Sequence, residues 1–189
     1  MITHNYSGKS LLELREQFGV GPSGFYGNEW WLNEPFAKEK PEAGTYELDL
    51  SYELVNLTFA EQQKKLKKGF EVTHPAIIAE AVLTHYMNIK KRLIKNCWLR
   101  TQSVASDGHR VGVGVNSDGV VVSNWYDRPD DGIGLASARK SQKKIEPGNL
   151  DTETLNLDGK ILEIDGKKYK LKCLPFSQKE KQDKYLGHE

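Results

Sequence analysis

The stretch 98–127, WLRTQSVASDGHRVGVGVNSDGVVVSNWYD, decides the fold. Hydrophobicity alternates with a period of two over 98–105, 110–115 and 120–126. The breaks between these runs are Ser-Asp-Gly-His and Asn-Ser-Asp-Gly, sequences that supply the positive-φ backbone of tight hairpins. Strands joined by turns of about four residues pair antiparallel, because a parallel pair needs a crossover of a dozen or more residues. The three runs therefore read as an antiparallel meander. On its middle strand Val111, Val113 and Val115 share one face and Gly112 and Gly114 the other, where either something approaches the backbone closely or the strand bends.

Working outward, the N-terminal side reads as helical. Ser10 with Glu13 is a capping box, and Leu11, Leu14 and Phe18 recur at helical spacing until Gly19, which gives a helix over 11–18. Residues 45–50 alternate as a strand. Thr58 with Glu61 forms a second capping box before AEQQKKLKKG, and Gly69 closes that helix. His74-Pro75 opens the longest one, 75–95, with Pro75 suited to the first helical position and Ile78, Val82, Ile89 and Leu93 forming the stripe that covers the valine face of the meander. Lys90, Lys91, Arg92 and Lys95 lie in its last turns, where positive charge complements the helix C-terminus.

Between these elements, 20–41 is glycine-rich yet carries Phe25, Tyr26, Trp30, Trp31 and Phe36, a composition that reads as an ordered loop. A second ordered loop spans 127–140. Residues 141–154 read as a linker or long loop, 155–176 as a β-hairpin annex turning at Asp165-Gly166, and 177–189 as a polar tail. The fold class expected is α+β, a main domain over 1–140 with N-terminal helices packed on one face of an antiparallel β-meander, followed by the C-terminal β-hairpin.

Composition excludes several classes. The chain has 189 residues, 27 Lys+Arg against 26 Asp+Glu and 38% hydrophobic residues, enough to bury a core without disulfides or metals. No run approaches the roughly 18 apolar residues of a membrane span and the N-terminus has no apolar signal core, so no membrane association and a cytoplasmic location are expected. Cys97 and Cys173 belong to no C-x-x-C pair and read as plain thiols. No phosphate-binding loop, H-E-x-x-H or G-x-S-x-G occurs, and Gly112–Asn116 falls inside a strand, so no cofactor is expected.

Two constellations remain. An enzymatic one, a small hydrolase or nuclease, takes His109 as general base oriented by Asp107 or Asp127, with Arg100 or Arg110 stabilising an anion. Asp127, Asp130 and Asp131 lack the spacing of a calcium loop, so no metal site is assigned. The leading expectation is a non-enzymatic binding protein for a macromolecule, nucleic acid or protein. Lys90, Lys91, Arg92, Lys95, Arg139 and Lys140 would meet phosphates, and Tyr26, Trp30, Trp31 and Trp125 would stack on bases or anchor an interface. The competing role for these aromatics is a hydrophobic lid over the sheet.

Overall fold

The structure, a computed structural model, describes residues 1–50, 52–94, 97–141, 161–164 and 167–170. It divides into two units, 1–142 and 143–189. In the second unit β9 (Ile161–Ile164) and β10 (Lys167–Lys170) pair antiparallel. The remainder of the expected annex, nearly all of the linker and the polar tail lie outside the described residues.

The first unit is mixed α and β. Its strands are β1 (Ile2–Tyr6), β2 (Gly44–Asp49), β3 (Glu71–Val72), β4 (Trp98–Val104), β5 (Arg110–Asn116), β6 (Gly119–Trp125), β7 (Ile133–Leu135) and β8 (Ser137–Lys140). They form two four-stranded sheets, ordered β1-β2-β8-β3 and β6-β5-β4-β7. The meander is present as read, with a register shift between Arg100 and Val104. The single sheet expected becomes two, and β4 and β7 add one parallel pair.

The segment 127–140 is corrected from a loop to two strands in its second half. β7 runs beside β4, and β8 continues beyond Ala136 between β2 and β3. Ala136 N–H donates to Arg100 O (3.0 Å) and Thr73 N–H to Ala136 O (3.1 Å), so this residue joins the sheets. Residues 133–138 are all buried, and a strand covered on both faces shows no alternation to read.

The helices are α1 (Leu11–Phe18), α2 (Pro35–Lys38), α3 (Phe59–Lys64) and α4 (Pro75–Ile89). Both capping boxes form, Ser10 with Glu13 and Thr58 with Glu61. α4 ends earlier than the 75–95 expected, because Lys90 turns left-handed at φ 56° and returns its N–H to Tyr86 O. The stripe is corrected accordingly. Ile78 and Val82 are core residues with Val111 and Val113, Leu93 is partly buried, and Ile89 is 51% exposed. Every residue from Pro75 to Leu83 is buried, so the helix enters the core whole and leaves it in its last turns.

The open question at Gly112 and Gly114 resolves as close approach. Trp98 and Trp125 lie 5.4 Å apart, ring to ring. A Cβ on Gly114 would meet the Trp98 ring at 2.7 Å, and one on Gly112 would meet Trp125 Cδ1 at 3.3 Å. At Gly114 only a bare backbone lets the Trp98 indole lie on the strand, while at Gly112 the Trp125 ring is in tight contact.

Candidate functional site

Two backbone bonds determine how the edge strand β3 is paired. Ser141 N–H donates to Thr45 O (2.8 Å) on the β2 side of β8, and Thr73 N–H to Ala136 O on the β3 side. Antiparallel ladders alternate, so Ser137 and Arg139 turn their peptides to β2 while Ala138 turns to Glu71. Val72, opposite Ser137, therefore points its N–H and C=O away from β8. Val72 is 8% exposed, and these two groups meet no hydrogen-bond partner among the described residues. Buried main-chain polar groups are nearly always paired with protein or water, and here the Val72 rung lies on the lining of two clefts.

Clefts adjoin this rung. One, of about 730 Å³, is lined by Thr73 and His74 at the start of α4, by Glu47 and Tyr46 of β2, and by Arg139 and Lys140 of β8. The other, of about 570 Å³, is lined by Phe59, Gln63 and Leu66 of the α3 region, by Phe70, and by Arg110 of β5. Both share Glu71, Val72 and Gln102. Each volume lies in the range of ligand-binding clefts.

The electrostatics differ between them. In the larger cleft the cations are neutralised locally, Arg139 by Glu47 and Lys140 by Glu42. His74 Nδ1 accepts the Ala76 N–H (3.1 Å) and Nε2 faces Glu39 Oε2 at 3.0 Å; burial holds the imidazole below its ordinary pKa, with Glu39 opposing. Thr73 is 4% exposed and its Oγ1 meets no partner among the described residues. In the smaller cleft the Arg110 guanidinium lies 3.8 Å from the centre of the Phe59 ring and donates through Nη1 to Gln102 O (2.7 Å). It makes no ion pair with a described residue. Burial pushes its pKa down, partly offset by the charge of Asp127.

The residues expected to form a catalytic group are held in separate tasks. Arg100 is fully buried and donates to Leu57 O, Gln62 Oε1 and Arg128 O, which ties β4 to two loops. Asp127 Oδ1 accepts the Phe59 N–H (2.7 Å) at the start of α3. His109 pairs through Nδ1 with Asp107 Oδ2 (3.0 Å) and packs edge-on to Tyr126. Of the two orienting partners considered, Asp107 holds the imidazole. Arg110, and not Arg100, has a guanidinium lining a cleft.

The residues expected to bind a macromolecule are also divided. Arg139 and Lys140 line the larger cleft near the N-terminus of α4, together with His74 and Ile77. Lys90, Lys91 and Arg92 follow its C-terminus, about 22 Å along a helix of 15 residues. There Lys90 Nζ and Arg92 Cζ flank the Tyr86 ring at 5.8 and 5.4 Å. Lys95 lies outside the described residues. Trp31 is fully buried beside Phe25, so it takes the core alternative, whereas Trp30 and Tyr26 keep partial exposure. Trp125 lies on Gly112.

Sequence reading passed over Glu71, Val72, Gln102, Phe59 and Phe70. A two-residue strand has no periodicity, and the stacking of Arg110 on Phe59 joins residues far apart in the chain. The one available signal was Arg110 itself, a cation in a strand beside a turn.

No family model, curated protein or solved structure matches the chain.

Proposed function

We propose that the chain is a non-catalytic binding module that takes a segment of a partner protein into the paired clefts beside β3. The observation that carries this reading is the unfilled rung at Val72, where both clefts share their lining. A lining with Glu47 and Glu71 as well as Arg139, Lys140 and Arg110 suits a polypeptide, which presents donors, acceptors and both charges, better than a polyanion. The loop 20–36, by contrast, supports a structural role, since Phe25, Trp31 and Phe36 enter the core.

The test is selection of random octapeptides on the immobilised full chain, followed by amide chemical-shift mapping of the enriched sequences. Shifts confined to the neighbourhoods of Phe70–Thr73, Gln102 and Arg110 support the proposal. Shifts clustered at Tyr86–Arg92 sink it. A nucleic-acid reading rests on the cation-flanked Tyr86 ring, and three phosphate contacts there would give a log–log salt slope of about -3 on duplex DNA. The protein-partner reading expects no duplex binding tighter than about 100 μM at low salt.

A further inference from the structure

Resting on the binding role just proposed, we infer that the occupant is an extended peptide carrying an acidic side chain, its main chain paired with Val72 and its carboxylate on Arg110. The first half of the inference follows from geometry. An edge strand whose N–H and C=O point outward into a cleft pairs with an added strand through those groups, the mode of β-strand addition. Val72 supplies one such rung. Its neighbours supply no competing one, because Glu71 is paired with Ala138 and Thr73 bonds to Ala136 through its N–H and to Gln102 N–H through its O.

The second half follows from charge. Arg110 is a partly buried cation without an ion pair among the described residues, and its guanidinium is already oriented by the Phe59 ring and by Gln102 O. A planar guanidinium held in this way leaves donors for a carboxylate and loses little freedom on binding it. Glu71 exposes a carboxylate on the shared lining, whereas Glu47 in the larger cleft is paired with Arg139. The Glu71 carboxylate repels a run of acidic residues or a phosphate backbone. One carboxylate near Arg110, flanked by neutral or basic residues, meets both conditions.

The experiment uses octapeptides selected on the full chain, measured by fluorescence anisotropy against the wild type and Arg110→Gln. The expected consensus contains one Asp or Glu. Replacing it by the corresponding amide, or making Arg110→Gln, weakens binding at least about tenfold, and the two changes together weaken it little further. The Val72 amide exchanges at least about tenfold more slowly in the complex. The peptide substitution leaves the protein untouched, so a folding defect in Arg110→Gln cannot decide the result. Peptides that shift Val72 and Gln102 but show no acidic preference overturn this inference and leave the binding role standing. Peptides that bind elsewhere, or none at all, overturn both.

Discussion

The edge of β6 and the edge of β3 are finished in opposite ways. Beside β6 the glycine-rich segment after α1 is laid along the strand. Val120 N–H donates to Gly24 O (2.9 Å), Tyr26 N–H to Val120 O (2.7 Å), and Asn28 Nδ2 and Trp30 Nε1 both donate to Val122 O, at 2.8 and 3.1 Å. Arg15 Nη1 anchors this cover from α1 through Asn28 O (2.8 Å). Beside β3 the Val72 rung has no such partner among the described residues, and two clefts share its lining. Exposed edges invite pairing with other chains, and proteins blunt them by a cover, by charge or by keeping the edge strand very short; β6 has the cover and β3 only two residues. An aromatic loop that reads as a recognition surface thus serves as the cover, and the recognition surface proposed above belongs to a two-residue strand instead.

The largest effect is expected from removing the cover's anchor in the core. Trp31 is fully buried against Phe25, and its Nε1 donates to Asn28 Oδ1. Trp31→Ala should lower the free energy of unfolding by about 3–5 kcal/mol in urea titrations. A loss under about 1 kcal/mol would mean that the cover is not built into the core. Next come the two arginines of the open side. Arg100→Met removes a donor from the buried Gln62 amide oxygen and from the half-buried bonds to Leu57 O and Arg128 O, and should cost about 3 kcal/mol. Arg110→Gln should cost under about 1 kcal/mol. Equal losses in the two variants would assign Arg110 to the scaffold and remove the contrast on which the binding reading rests. Smaller again is Trp30→Phe, which keeps the ring near Phe36 but loses the indole donor; Asn28 still serves Val122 O, so about 0.5–1 kcal/mol is expected.

How much was legible in the sequence follows the same division. The meander showed itself because the valines of β5 alternate with glycines and the Asp-Gly turns announce their backbone. The starts of α1, α3 and α4 showed themselves through Ser10, Thr58 and His74, whose side chains accept the helix N–H groups that the sequence pattern implies. The end of α4 did not, since Lys90 adopts a left-handed conformation with no glycine to mark it. β1 passed unread although Ile2, His4 and Tyr6 alternate with Thr3 and Asn5, because a buried histidine does not register as apolar. The candidate site was least legible. Arg110 was named as an anion-binding group, but that Phe59 supports it and that Val72 lines the same cleft depends on which strands become neighbours, which local pattern does not encode.

The last expected difference between the edges is in their response to acid. His74 caps α4 at the open edge with a neutral Nδ1 that accepts the Ala76 N–H, and burial holds its pKa below the ordinary 6.5, against the opposing pull of Glu39. The folded state then binds fewer protons than the unfolded chain near pH 6, so its stability rises with pH there. The contribution is complete above about 6.5 and is lost as pH falls through the lowered folded value. Protonation at Nδ1 removes the acceptor for Ala76 and frees the first turn of α4, next to Thr73 and the larger cleft. Along the β6 cover, Gly24 to Trp30 includes no histidine, the residue type whose ordinary pKa lies between about 5 and 7. Hydrogen exchange, compared after correction for its intrinsic pH dependence, should show Ala76 losing protection across that interval while Tyr26 keeps it. His74→Asn retains a capping acceptor that does not titrate and should flatten the Ala76 profile. The same acid-induced loss in His74→Asn as in the wild type would exclude the imidazole as its cause.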